Sequence, residues 1–438
     1  MTSPTAASPT PATPWSAAPT DRAAAPGRPG AGGSNGRGTE SLFSWESDML
    51  QQHPNHLTVQ WSQTDHSDYH WLWLRDKCQC PKCFNANSRQ KYFDSSVLPL
   101  DTKPTNVEND GETLTLTWLD GHVTAYDLGW LKARDYSDGR PAGGDDARPT
   151  PSIWETPRLP PGAQFDCREV LDSEQTMGEA LETLLRLGIV VLKARDGEKT
   201  PFEQLMERIC GFLQPTYFGT YFDLNVKPEE TTDSVAFSTR ALPLHTDIPY
   251  YSPPPDFQFL NGLDVSPLCL ERGVGNTRFV DGLTAATTFR TEYPDLFDVL
   301  TRVPVINRAE YPLAGKIYEN VVPIIMLSAD GSIDRILNNP SKMFFDNVEY
   351  GDMYSLYQAY KTFKDWLTHN GPSYSHSWSD GDLVMWDNRR VLHGRGEFGS
   401  QGIKRILRGG YIGENELVAR LRYIRSRFAP DANLRPHN

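Results

Sequence analysis

The run SDGRPAGGDDARPTP, residues 137–151, combines Gly, Pro and acidic residues with no large apolar side chain. Such a composition cannot carry a helix or strand through a core. The chain must therefore fold as two separately patterned parts. Upstream, from Leu57, the runs LTVQW and YHWLWL predict short strands, and TLTLTWLDGHVTAYDL predicts a hairpin that turns at Asp120–Gly121. Downstream, from about Phe165, helical and strand-like patterns mix. Residues 1–40 are rich in Pro, Ala, Gly, Ser and Thr. They bury too little apolar surface to offset their ordering entropy and are expected to be disordered. The expected organisation is a disordered segment over 1–40, a small β domain over 41–138, a linker over 139–164 and a larger domain over 165–438.

In the larger part, SEQTMGEALETLLRLG sets Met177, Leu181, Leu184 and Leu185 at helical spacing, and IVVLK follows as a buried strand. In TPFEQLMERICGFL, Thr200 is expected to cap a helix, with Pro201 at its first position and Glu203 completing a capping box. DMYSLYQAYKTFKDWL predicts another amphipathic helix, and DLVMWDN and ILRGGYIG predict strands. The fold class is α+β. There is no internal repeat and no Gly-rich phosphate loop, so nucleotide binding has no support.

A formal charge of -13 over 438 residues argues against nucleic acid or an anionic membrane as the main partner. No apolar run is long enough to span a bilayer, and the start lacks the apolar core of a secretory signal. The expectation is a soluble, cytoplasmic enzyme acting on a small molecule. A mitochondrial location is the alternative, because Arg22, Arg28 and Arg37 stand in a start that is nearly free of acids.

Three of the six cysteines, Cys78, Cys80 and Cys83, crowd into LRDKCQCPKCFN, while Cys167, Cys210 and Cys269 are scattered. That is no disulfide framework. The scattered three are expected to be buried small hydrophobes. The clustered three, with His122 from the hairpin as the fourth donor, make the Cys₃His set of a closed structural zinc site.

In PLHTDIPYYSPPP, His245 and Asp247 are one residue apart, which on a strand would point both side chains to one face. Two histidines and a carboxylate are the ligand set of non-haem Fe(II) oxygenases. His393, in VMWDNRRVLHGRGEF, is the candidate third ligand. Arg405, in GIKRILRGGY, is the cation that the far carboxylate of a 2-oxoglutarate co-substrate would need, since a guanidinium matches a carboxylate in a bidentate pair. A second His-x-Asp, His66 and Asp68, has no distal His and Arg in that order and is expected to be an ordinary surface pair.

Together LHTDIPYYSPPPDFQFLNGL, GNTRFVDG, WDNRRVLHGR and RGGYIG resemble the γ-butyrobetaine and trimethyllysine dioxygenases, within the broader taurine-dioxygenase-like superfamily. The resemblance covers about Leu57 to Phe428. It implies a double-stranded β-helix, or jelly roll, flanked by helices, and a zinc site in the preceding small domain. It implies hydroxylation of an unactivated C–H bond with O₂ and 2-oxoglutarate as co-substrates, ascorbate as reductant, and Thr277 as a further co-substrate contact. An aromatic cage for a trimethylammonium group falls on Phe218, Phe222, Phe237 and Tyr411. Ser234 stands where the butyrobetaine enzymes have the Asn that helps bind the substrate carboxylate, while Asn338 and Asn339 keep an amide near a second such place. The expected reaction is γ-butyrobetaine to L-carnitine. The alternatives are hydroxylation of trimethyllysine or another amino-acid-derived metabolite, and a non-catalytic reader of methylated lysine. The C-terminal ELVARLRYIRSRF spaces Leu417, Leu421, Ile424 and Phe428 as a stripe expected to pack on the larger domain or on a second copy, and the resemblance implies a homodimer.

Overall fold

The computed structural model describes residues 49–137, 148–195, 198–226, 234–398 and 403–428. The expectations for segment 1–40, its targeting role included, and for 139–147 of the linker lie outside the described residues.

The amino-terminal unit holds two three-stranded antiparallel sheets. One orders Leu50–Gln52, His56–Gln60 and His66–His70; the other orders Pro104–Asn109, Thr113–Trp118 and Val123–Asp127. The last two strands are the expected hairpin, and Gly121 takes the left-handed backbone its turn requires, at φ +76°. WLWLRD differs from expectation: Trp71–Asp76 is a helix, following the strand His66–His70. A short apolar run fits either period, and here Trp71 and Leu74, three positions apart, are the two that are buried.

The larger unit is built on a six-stranded sheet in the order Tyr221–Leu224, Arg405–Ile412, Phe257–Val265, Leu383–Asp387, Ile189–Lys193 and Gln164–Asp166. A four-stranded sheet orders Leu242–His245, Val391–Arg395, Thr277–Asp281 and Ser373–His376. The pleat divides each central strand between two cores. Phe257, Phe259, Leu383 and Met385 pack with the helices Glu174–Leu187, Phe202–Cys210 and Glu414–Phe428. Leu260, Val384 and Trp386 pack inward with Phe279 and Val391 of the smaller sheet. The jelly-roll expectation is therefore corrected: α+β stands, but among the described residues no sheet closes or curls on itself. The end strands of each sheet pair on one side only, and a layer of helices covers one face of the larger sheet.

Ser173 caps the helix Glu174–Leu187 by accepting from the Thr176 amide. The next helix starts differently from expectation. Pro201 is its cap residue, no side chain caps it, and the Thr200 hydroxyl donates to the Gly381 carbonyl instead. Leu417, Leu421 and Ile424 pack against Glu174–Leu187 within the chain, whereas Phe428 is exposed. Trp154, from the stretch read as linker, is buried, and its indole donates to the Leu187 carbonyl at 2.7 Å. Cys167, Cys210 and Cys269 are buried, and burial pushes the first up to about 11 and the second to about 12. No helix among the described residues is long and apolar enough to cross a membrane.

Candidate active site

His245 ends its strand, and in the adjoining strand His393 is its direct register partner. The two rings lie 4.2 Å apart at their centroids. Gly394 permits this approach, since a Cβ there would stand 2.7 Å from the Leu242 carbonyl oxygen. Asp247 is not on the strand, contrary to the sequence argument; it lies in a bend just before Ile248, whose φ is +53°. What brings its carboxylate back to the histidines is Asn388. That side chain accepts from the Asp247 amide at 2.8 Å and donates to the Asp247 and Pro255 carbonyls at 2.9 and 3.1 Å.

One ligand atom from each of His245, Asp247 and His393 lies within 4.8 Å of the others, a two-histidine, one-carboxylate facial triad. The protonation pattern fits a cation. His245 Nδ1 faces the Pro243 carbonyl at 2.8 Å, and a carbonyl only accepts, so Nδ1 is the donor there and Nε2 is the nitrogen whose lone pair the neutral ring offers to a metal. That lone pair faces Asp247 Oδ1 at 3.3 Å. Two electron-rich atoms so placed suit a metal ion between them. Burial, with the neighbouring His245, pushes His393 down to about 3, so its ring is neutral, and its Nδ1 is buried with no hydrogen-bond partner. Burial alone would raise the Asp247 carboxyl, but the neighbouring His245 and His393 rings and the Tyr411 hydroxyl hold it well below the usual carboxylate range. Its second oxygen, Oδ2, accepts from Gln258 Nε2 at 2.6 Å and from the Tyr411 hydroxyl at 2.9 Å, which leaves Oδ1 as the free donor.

Arg405 is buried and, among the described residues, has no carboxylate at ion-pair distance. Burial, then the charge of Arg395, pushes it down to about 9, still a cation at neutral pH. Its Nε donates to the Gly275 carbonyl at 2.7 Å and its Nη2 to Thr277 Oγ1 at 3.2 Å. Trp378 Nε1 donates to the same oxygen at 2.9 Å. With two donors on its oxygen, the Thr277 hydroxyl proton is left to point at an acceptor.

Phe218, Phe222, Ser234, Phe237, Asn339 and Tyr411 line one pocket, with Asp247 in its wall. Asn338 does not join them: it is fully buried, donates to the Leu244 carbonyl at 2.9 Å and accepts from the Tyr360 hydroxyl at 3.1 Å, bracing the strand of His245. Tyr250, Tyr311 and Lys342 line the same pocket and were missed in the sequence. Asn388 and Gln258 were missed too. A polar residue between two phenylalanines of a strand, as in DFQFLNGL, is the signal that could have found Gln258, because a buried amide needs a partner.

In the amino-terminal unit, the Sγ atoms of Cys78, Cys80 and Cys83 lie 3.2, 3.5 and 3.6 Å from His122 Nε2. All four donor atoms fall within 4.8 Å of one another. Burial and the Arg75 charge lower the His122 pKa, which keeps its lone pair available. His66 and Asp68 form no such cluster; Asp68 accepts from the Thr58 hydroxyl at 2.5 Å.

Residues 148–411 match the model of the taurine catabolism dioxygenase TauD, TfdA family. The chain belongs to that family. It is an Fe(II)- and 2-oxoglutarate-dependent dioxygenase, with the triad that chemistry requires. Residues 49–132 match the gamma-butyrobetaine hydroxylase-like N-terminal family. The chain is 31% identical over 370 residues to gamma-butyrobetaine dioxygenase of Pseudomonas sp. (strain AK-1), covering 83% of this chain and 92% of that one. It is 30% identical to dioxygenase str8 of Strobilurus tenacellus, over 82% of this chain and 85% of that one. It is 28% identical to trimethyllysine dioxygenase of Neurospora crassa, over 82% of each.

Proposed function

We propose that this dioxygenase hydroxylates an unactivated C–H bond of a small quaternary ammonium compound, converting γ-butyrobetaine to L-carnitine. The observation that carries the reading is one pocket in which Phe218, Phe222, Phe237 and Tyr411 share a wall with the triad carboxylate Asp247. A trimethylammonium group donates no hydrogen bond and is held best by ring faces. Relatives with that activity and with the trimethyllysine activity support the class.

In this reading His245, Asp247 and His393 hold iron, and Arg405 with Thr277 holds the distal carboxylate of 2-oxoglutarate. Bound iron supplies the activation of O₂ that turns 2-oxoglutarate into succinate and CO₂ and oxidises the substrate carbon. The remaining work belongs to the chain. Gln258 and Tyr411 orient the Asp247 carboxylate, and the aromatic wall excludes water and holds the substrate carbon near the metal. Lys342 and Asn339 receive the substrate's anionic end, with Ser234 in the place of an amide. Cys78, Cys80, Cys83 and His122 hold a structural zinc, whose four donors leave no position for substrate.

Ser234 and Lys342 also favour a second reading, trimethyllysine or another amino-acid-derived cation, because they change the anion-binding end and leave the rings in place. The test is succinate formation with Fe(II), 2-oxoglutarate and ascorbate, comparing γ-butyrobetaine, trimethyllysine and no substrate. Stimulation by γ-butyrobetaine with L-carnitine as product supports the first reading, and stimulation by trimethyllysine alone moves the assignment to the second. No stimulation by either, with background turnover present, overturns the γ-butyrobetaine and trimethyllysine assignments and leaves another amino-acid-derived cation.

A further inference from the structure

Arg395, two residues beyond His393 on the same strand, is a buried arginine that shares the Phe398 ring with Arg405, and no role yet described uses it. Like Arg405, it has no carboxylate at ion-pair distance among the described residues. Instead it is held by carbonyls. Nη2 donates to Ser238 O at 2.6 Å and to Arg240 O at 2.9 Å, and Nη1 reaches Ala236 O at 3.4 Å. Its Nε is buried with no partner. These carbonyls belong to the segment that carries Ser234, Ala236 and Phe237 into the substrate pocket. The other side of Arg395 meets the co-substrate region: its guanidinium lies 4.7 Å from the Phe398 ring centroid, and that of Arg405 lies 5.9 Å from the same centroid. Phe398 is itself tied to the segment, its amide donating to Thr239 O at 3.1 Å.

We propose that Arg395 is a positioning residue that couples the two pockets, tightening the 234–240 wall of the substrate pocket when the anionic co-substrate is bound. Two like charges sit buried beside one ring with no carboxylate at ion-pair distance among the described residues. A dicarboxylate next to Arg405 relieves that repulsion, and the guanidinium of Arg395 then settles more firmly on its three carbonyls. The gain passes to the segment because charge-assisted hydrogen bonds hold it. By linkage, the same free energy makes substrate bind better after 2-oxoglutarate than before it.

The experiment is hydrogen–deuterium exchange of the peptide over 234–240 in the Fe(II)-loaded full chain under anaerobic conditions, with and without 2-oxoglutarate. The amides of Ala236, Phe237, Ser238 and Arg240 bond within the segment, so their exchange reports its opening. Expected is a slowing of about tenfold on adding 2-oxoglutarate, the size of one charge-assisted hydrogen bond. Arg395→Met should exchange fast in both states, and Arg395→Lys, which keeps the charge without the planar fork, should lie between. If Arg395→Met does not fold, Arg395→Lys against the wild type decides. A slowing by 2-oxoglutarate that is the same in the wild type and the variants, or no slowing in the wild type, overturns the proposal. Substrate plays no part in this readout, so its outcome is independent of the γ-butyrobetaine assignment.

Discussion

The two donor clusters answer opposite demands. Cys78, Cys80, Cys83 and His122 come from one tight loop and the hairpin beside it, and four donors close a tetrahedral ion. His245 and Asp247 come from the end of one strand and the bend after it, His393 comes from a strand far along the chain, and together they offer three donors, leaving positions for co-substrate and O₂. The closed set is braced mainly by the backbone of its own turn and loop, with the His122 amide donating to Asp120 Oδ1 at 3.0 Å, the Trp118 amide to the His122 carbonyl at 2.8 Å and the Cys83 amide to the Cys80 carbonyl at 2.9 Å. The open set is held from behind by Asn388, Gln258 and Tyr411. An open metal site cannot rely on the ion for its geometry, so the protein supplies it with further hydrogen bonds.

The sharpest way to break the contrast is to remove one donor from each cluster. His245→Ala should lower hydroxylation by at least about a hundredfold, more than loss of a supporting partner costs, while the thermal midpoint shifts little. His122→Ala should do the reverse: zinc measured by mass spectrometry falls, and proteolysis of the amino-terminal unit quickens by at least about tenfold, because metal affinity there is folding energy. A large loss of fold in the first variant, or none in the second, would sink the distinction.

A smaller effect sharpens it. Gln258→Leu leaves every donor in place and frees Asp247 Oδ2, so the affinity for Fe(II) should fall about 10–100-fold, read by metal titration against activity. Unchanged affinity would show that the carboxylate needs no such brace.

The smallest effect is a pH dependence. Lys364 donates to the Leu244 carbonyl at 2.9 Å, beside His245, and burial pushes it down to about 8 from 10.5. Between those values the unfolded chain binds the extra proton, so this group makes stability rise with pH across the window, by at most about 3 kcal/mol. Denaturant titrations from pH 8 to 10.5 should show that rise in the wild type and a smaller one in Lys364→Met.

How much of this was legible in the sequence follows from where the information lies. Ligand identity is a matter of residue type and spacing, so both donor sets could be read, and the helix Glu174–Leu187 was visible because its stripe is long. What failed depended on partners distant in the chain. Asp247 reaches the site through Asn388, not through strand pleating. WLWLRD forms a helix although its apolar run fits a strand equally well. Thr200 gave up its cap for a carbonyl supplied by Gly381. The sheets themselves came out open, since the way strands join is set by neighbours that no local pattern specifies. Asn338 and Asn339 are adjacent and chemically identical, yet one braces a strand and the other lines the pocket.

The direct pairing of His245 with His393 across two strands makes the metal a proofreader of assembly. A slip of one residue between these strands would turn one imidazole to the opposite face, and the triad could not form. Only molecules with the correct register can capture iron, so the ion selects, from the folding population, the chains that are able to work.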